Sequence, residues 1–277
     1  MSQGQAVGAR RQKSPPGFLT VVFGSPAVLL TLLLPGLGHL FHGRPGRALA
    51  WFALVQGLFF AGYAILGVRL WGGGFNLGTD VLGLPLNYLP EAGNFLTTLL
   101  MLKTFPGTED AVALAKLPVA WEHLGFLLTA LSGVLNAFAC ADAWWIAARP
   151  EAPARGRLRP VEAALLSWLL PGLGQWRLGA RFRGGVQGGA VLGLFLLGLV
   201  FSDFTAVDRS QVYFWYAGMC FNGGGTIAAT LLFAERAFTN TGSTLWDLGV
   251  TLCTVSGLMN LVVALDAYTL AEEQSPP

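Results

Sequence analysis

The stretch TLLLPGLGHL (Thr31–Leu40) returns later in the chain as WLLPGLGQW (Trp168–Trp176). A proline and two glycines disfavour helix, and here they sit inside apolar runs. The second copy lies in an uncharged run of 14 residues, Ala163–Trp176, between Glu162 and Arg177. As helix that run reaches about 21 Å, short of the roughly 30 Å hydrocarbon core of a bilayer. The first copy sits in a longer run that Pro26 and Pro35 interrupt. Neither copy reads as an unbroken membrane-crossing helix. Each reads as a re-entrant or surface-lying segment that turns at Pro35-Gly36-Leu37-Gly38 or Pro171-Gly172-Leu173-Gly174.

Composition sets the class. The chain is 53% hydrophobic and 12% charged, with a mean hydropathy of +0.56. A soluble domain carries roughly 25% charged residues, so this chain has too little charge to wet a globule of its size. It reads as an all-α integral membrane protein whose first partner is the lipid bilayer. A net charge of +2 gives no reason to expect nucleic acid. Cys140, Cys220 and Cys253 all lie in apolar runs and are odd in number, which reads as free thiols without a disulfide framework or zinc spacing. No cofactor motif is present. Residues 1–25 are polar, basic and proline-bearing. Arg10-Arg11 is not followed by the apolar stretch of a twin-arginine signal, and no cleavage site follows. The segment reads as an uncleaved, disordered cytoplasmic tail.

The chain also reads as a duplication. An offset of 136 residues lays Pro35-Gly36-Leu37-Gly38 on Pro171-Gly172-Leu173-Gly174, Gly43 on Gly179, Arg47 on Arg183 and Gly57 on Gly193. An offset of 124 lays LGFLLTALSGVLNAFACADAWWIA (Leu124–Ala147) on LGVTLCTVSGLMNLVVALDAYTLA (Leu248–Ala271). There Asn136 falls on Asn260 and Asp142 on Asp266. Two offsets mean that the middle differs in length between the copies. Such self-similarity is a strong sign of repeat architecture. The halves run over 26–149 and 160–272, with a polar linker at 150–159 and a short tail at 273–277.

PGLGQ with its following glycine and basic residue, then LWDLG, SGLMN and LDAY, resembles a family of uncharacterised bacterial polytopic membrane proteins of unknown function. The PGLG-plus-basic part is similar to a two-helix membrane module of many bacterial proteins. The resemblance covers most of both halves and implies a bacterial cytoplasmic membrane. It assigns no catalytic residue. The first copy departs from the pattern, with WEHLG for WDLG and CADAW for LDAY.

Length and charge locate the crossings. Two transmembrane helices are expected in each half, at 48–68 and 124–147 and at 184–202 and 248–270, with a variable middle segment between them. If each PGLG segment leaves by the face it entered, 12 of the 17 basic residues share one side. If PGLG and the middle both span, the basic residues divide almost evenly. The positive-inside rule prefers the first topology, with both termini cytoplasmic. Ala92–Leu102 is too short to span. Gln211–Ala234 is 24 uncharged residues and long enough, but Gly223-Gly224-Gly225 sits near its centre.

The candidate functional residues follow. Asp142 and Asp266 lie one to two turns from a cytoplasmic helix end. An acid inside a membrane is a functional hypothesis by default. The simpler reading pairs them with the interfacial Arg47 and Arg183; the sharper one is an ion or proton site. Asn136 and Asn260 sit deeper, each four residues after a serine (Ser132, Ser256). They read as interhelical hydrogen-bond donors to carbonyls freed at PGLG. Ala53, Gly57, Ala61 and Gly185, Gly189, Gly193 form small-residue faces for packing between the halves, with homodimerisation as the alternative. His39 and His42 read as an interfacial pair near headgroups rather than a metal site. Acids on the opposite side, Asp80, Glu91, Glu109 and Asp110, give weak support to a lipid-modifying enzyme. With no catalytic constellation, the expectation is a non-enzymatic scaffold or accessory subunit bound to other membrane proteins. The alternative is a transporter or channel for a small solute, ion or lipid.

Overall fold

The structure is a computed structural model that describes residues 25–72, 88–105, 108–149, 158–233 and 243–274. Arg10, Arg11, Lys13, Asp80, Arg155, Arg157, Arg236, most of the linker and the last three residues lie outside the described residues. So do Gly73 and Gly74.

The described elements are all helical. The first half has α1 (Pro26–Leu33), α2 (Leu37–Phe41), α3 (Pro45–Leu66), α4 (Arg69–Gly72), a 3₁₀ turn (Leu89–Asn94), α5 (Phe95–Leu102), α6 (Glu109–Lys116) and α7 (Glu122–Ala148). The second has α8 (Pro160–Leu169), α9 (Leu173–Arg177), α10 (Arg181–Phe201), α11 (Arg209–Cys220), α12 (Gly224–Phe233) and α13 (Thr244–Glu273).

Among the described residues four helices, α3, α7, α10 and α13, are long and apolar enough to cross a membrane. They match the four expected spans, with shifted ends. α3 and α10 begin three residues before 48 and 184, so Arg47 and Arg183 belong to their first turns. Hydropathy marks the apolar stretch, whereas backbone hydrogen bonding continues into the polar flank. α3 stops at Leu66 because Gly67 leaves the helix with φ 51°. α13 has 30 residues and reaches about 45 Å, well beyond the apolar run that marked it.

The long helices pair antiparallel. Arg47 in the first turn of α3 meets Asp142 near the end of α7, while Gly62 near the end of α3 packs on Gly125 at the start of α7. α10 and α13 repeat this through Arg183 with Asp266 and Gly198 with Gly249. Arg149 reaches Glu272 at 3.4 Å and Trp145 packs edge-on against Tyr268, so α7 and α13 finish at the same end. That end carries Arg47, Arg149, Arg159 and Arg183. α7 is the central helix, with 61% of its apolar window buried against 28–50% in the other three. It packs on α8, α11 and α12 as well as on its own half.

Gln211–Ala234 does not form one helix. Over its described residues it breaks at Phe221-Asn222-Gly223, between α11, which begins earlier at Arg209, and α12, with Gly223 at φ 37°. The turn is seated on the end of α8, where Gly223 lies against the Trp168 carbonyl so closely that an added Cβ would meet it at 2.2 Å.

The small-residue faces also differ from expectation. Among the described residues Ala53, Gly57, Ala61, Gly185, Gly189 and Gly193 are exposed, and a Cβ built on Gly57, Gly189 or Gly193 meets no described residue within 4 Å. The glycines that pack α10 are one position earlier. Cβ atoms on Gly184 and Gly188 would collide with the backbone of Gly172 and Pro171. A four-residue glycine spacing runs down two neighbouring faces of α10, and spacing alone does not say which one meets protein.

Candidate functional site

The two glycines of each PGLG motif serve different contacts. Gly36 and Gly172 both stand at φ 83°, which an L side chain rarely adopts. The next glycine lets α2 or α9 fold back on the helix before it. A Cβ on Gly38 would lie 2.1 Å from the Ala27 carbonyl, and one on Gly174 would lie 2.2 Å from that of Ala163. Their amides donate to hydroxyls of the preceding helix, Gly38 to Thr31 Oγ1 at 3.2 Å and Gly174 to Ser167 Oγ at 3.0 Å. Each motif is therefore a helix, a sharp turn and a short return helix.

The return carries a donor to the buried acid. The Asp142 side chain is 3% exposed. It accepts from His39 Nε2 at 3.1 Å, Arg47 Nη1 at 3.3 Å and Trp51 Nε1 at 3.2 Å, with Arg159 Nη1 at 3.7 Å. Asp266 accepts from Gln175 Nε2 at 3.1 Å, from Arg183 Nη2, and from Gln187 Nε2 at 3.3 Å. At the 136-residue offset, His39 falls on Gln175, Arg47 on Arg183 and Trp51 on Gln187. Both expected Asp–Arg pairs form. His39, expected beside headgroups, is fully buried against protein, because α2 folds its inner face onto α7. His42 caps the end of α2 and is half-buried.

Asn136 and Asn260 are fully buried and use both amide hydrogens. Asn136 Nδ2 donates to Thr31 O at 3.1 Å and Gly93 O at 2.6 Å. Asn260 Nδ2 donates to Trp168 O at 3.1 Å and Phe221 O at 2.9 Å. Thr31 O is the acceptor that Pro35 cannot serve, four residues on, for want of an N–H. Each asparagine thus ties the PGLG segment, which comes from the arginine end, to the broken middle segment, which comes from the other. Those joints disclose a third offset, 128 residues, that lays Gly93-Asn94 on Phe221-Asn222. Asn94 Nδ2 reaches Ser132 Oγ at 3.5 Å and Asn222 Nδ2 reaches Ser256 Oγ at 3.1 Å. Asn94 and Asn222 were legible only as a shared asparagine in otherwise unlike stretches.

A second missed feature joins the halves. Glu91 and Arg209 are both fully buried and form a bidentate pair, with Arg209 Nη2 3.0 Å from Glu91 Oε2. Thr129 Oγ1 donates to Glu91 at 2.7 Å, and the Arg209 guanidinium lies 4.9 Å over the Phe126 ring. Glu91, expected among the acids of the opposite side, is fully buried, since the 3₁₀ turn and α11 are drawn into the seam. Glu109 and Asp110 do lie in the first turn of a short surface helix, where they are exposed. Near the seam, His123 Nδ1 stands 3.4 Å from Asp208, the residue before Arg209. Burial pushes the Asp208 carboxyl up, but hydrogen bonds from His123 and Ser210 outweigh it and hold the group below its ordinary value. A cavity of about 360 Å³ opens beside this pair, lined by Trp121, Glu122, His123 and Thr230 among others.

This geometry can be set beside known proteins. A model of a family of unknown function, DUF6677, matches residues 26–155 and 162–276. The chain belongs to that family. No curated protein and no solved structure matches it. DUF6677 supplies no activity, so the arrangement of side chains has to carry the functional reading.

Proposed function

We propose that this DUF6677 protein is a tandem duplication whose PGLG segments re-enter the membrane from the arginine end, and that it is a non-enzymatic scaffold or accessory subunit. One observation carries the reading. The inward acids and the broken-helix carbonyls are tied up in architecture, while the small-residue faces of α3 and α10 stand open. Small residues let a neighbouring helix approach closely in lipid, where packing rather than hydrophobicity drives association. The partner is then another membrane helix, from a different protein or a second copy. The clustering of Arg47, Arg149, Arg159 and Arg183 at one end favours a cytoplasmic location for that end.

The test uses cysteines at Gly57 and Gly189 for cross-linking in native membranes, together with the mass of the detergent-purified particle. A cross-linked partner that is lost in Gly189→Leu, with thermal unfolding unchanged, is the expected result. A monomer that cross-links to nothing would sink the reading. A second reading, transport of a small solute, is favoured by the opposed broken segments and the buried Glu91–Arg209 pair. Broken segments in corresponding positions of two halves line the site in many transporters.

A further inference from the structure

Not every cation at the arginine end is tied into the architecture. Arg47 pairs with Asp142, Arg149 with Glu272, Arg159 with Glu162 and Arg183 with Asp266. Arg177 and Arg181 differ. Both are exposed, and neither side chain makes an ion pair or a hydrogen bond among the described residues. They flank a single three-residue turn, Arg177 as the last residue of α9 and Arg181 as the first of α10.

The turn itself is well fixed. Gly179 N donates to Trp176 O at 3.1 Å, Ala180 N donates to Gln175 O at 2.9 Å, and Gln274 Nε2 at the end of α13 donates to Leu178 O at 3.3 Å. Trp176 is laid against α10, where a Cβ on Gly184 would lie 2.7 Å from its Cδ1, yet it remains 53% exposed. Phe182, next to Arg181, is 87% exposed. Two aromatic side chains this bare are unfavourable in water and suit the boundary between acyl chains and headgroups. The first half makes the same turn without the free charges. At the 136-residue offset Trp176 falls on Leu40, Arg177 on Phe41, Arg181 on Pro45 and Phe182 on Gly46. Its one arginine in the turn, Arg44, stands in the place of Ala180 and is not free. Leu40 and Phe41 are also exposed, so both turns offer apolar surface to a bilayer, and the second alone adds two free cations.

We propose that the turn between α9 and α10 is a docking surface for anionic phospholipid, with Arg177 and Arg181 on the headgroup phosphate and Trp176 and Phe182 against the upper acyl chains. A guanidinium presents parallel N–H donors that match two phosphate oxygens. A zwitterionic headgroup brings its own ammonium and needs the arginines less, so charge complementarity selects a lipid with net negative charge. The aromatic pair selects a lipid over a soluble phosphate, which would leave Trp176 and Phe182 uncovered. α10 is one of the four long apolar helices, so its first turn lies where a spanning helix meets the headgroups. The inference rests on the arginine end facing a membrane surface, as proposed above, and is independent of which proteins the chain associates with. Its consequence is asymmetry: the second PGLG segment is held to anionic lipid, while the first rests in the bilayer by apolar contact.

The experiment is native mass spectrometry of the full-length, delipidated protein in neutral detergent, titrated with phosphatidylglycerol or with phosphatidylcholine of the same acyl chains. A cation beside an anionic lipid surface is worth about fivefold in binding, so the two arginines together give phosphatidylglycerol about a 25-fold preference. Arg177→Phe with Arg181→Pro copies the first half, where proline already opens α3, and abolishes that preference while thermal unfolding in lipid-free detergent is unchanged. If that variant does not fold, Arg177→Gln with Arg181→Gln removes the same charges. Arg177→Lys with Arg181→Lys keeps most of the preference. Inorganic phosphate does not displace the bound lipid. Equal retention of the two lipids by the parent, an undiminished preference in the neutral variants, or displacement by millimolar inorganic phosphate overturns the proposal. A cysteine at Gly179, probed with a membrane-impermeant reagent from each side of sealed vesicles, tests the underlying topology separately. Labelling from one side together with no lipid preference sinks the lipid surface alone, and protection from both sides sinks the topology with it.

Discussion

Around Asp142 the donors are a histidine, an arginine and a tryptophan; around Asp266 they are a glutamine, an arginine and a glutamine. The positions are equivalent and the carboxylate is held either way, so the cup depends on geometry more than on the identity of the donors beside the arginine. The environments are not equal. Asp142 is 3% exposed and also neighbours Arg159 at the end of the linker, whereas Asp266 is 15% exposed and its Arg183 is 54% exposed. The middle segments differ more. Asn94 Oδ1 accepts from Gln56 Nε2 at 3.2 Å, but the residue equivalent to Gln56 is Leu192, and Asn222 Oδ1 has no partner among the described residues. Glu91 likewise has the apolar Met219 as its counterpart at the 128-residue offset. What the halves share is the skeleton of ties, and what they do not share is concentrated where the middle segments meet the seam.

The sharpest way to break this comparison is at the asparagines. Asn136→Leu and Asn260→Leu each strip two buried carbonyls of their donor. At about 1–3 kcal/mol for each unsatisfied group, each variant loses about 2–6 kcal/mol of stability, and the two losses agree within about 1 kcal/mol. Unfolding in mixed detergent micelles measures both, and a large loss in one half alone would show that the joints are not equivalent. Next come the acids. Asp142→Asn leaves several donors facing a neutral group in a dry site and costs about 3 kcal/mol. Asp266→Asn removes a pair whose arginine is largely solvated and costs about 1 kcal/mol or less. Equal losses would refute the difference in environment.

A smaller effect is expected in the middles. Gln56→Leu copies the second half into the first and destabilises by about 1–2 kcal/mol, whereas Leu192→Gln supplies Asn222 with a donor and is neutral or stabilising. Parallel thermal scans of the two single variants and the double swap decide it. Smallest is Asp208, whose carboxylate accepts from Ser210 N at 2.9 Å and caps α11. Asp208→Ala costs about 1 kcal/mol. Since its folded value is depressed, that contribution is present above about pH 4 and fades as pH falls through the folded value. A loss that stays constant down to acid pH would show that the cap works without the charge.

Much of the candidate site was legible because its chemistry is local or paired. Proline inside an apolar run must free a carbonyl, and a buried amide is the natural donor; Asn136 takes that role at Thr31 O, and Asn260 serves Trp168 O, one residue past the carbonyl that Pro171 frees. An acid near the end of an apolar helix must find a cation, and Arg47 and Arg183 were the equivalent ones available. His39 was misread because only the fold-back of α2 buries it. Glu91 and Arg209 were misread because their flanks are short and mixed, and nothing in either flank announces burial. The exposed glycine face was chosen over the packed one because a four-residue spacing runs down both.

The sequence by itself determined the class of molecule, the four long apolar helices and the places where helix must break. Those follow from hydropathy, length and the missing proline N–H, all properties of short stretches. Only the tertiary structure decided which face of α10 meets protein, how Gln211–Ala234 divides around Asn222, and that a charge from each half is buried at the seam. Each of those turns on what lies opposite a residue across a gap of many positions, and no local pattern carries that information.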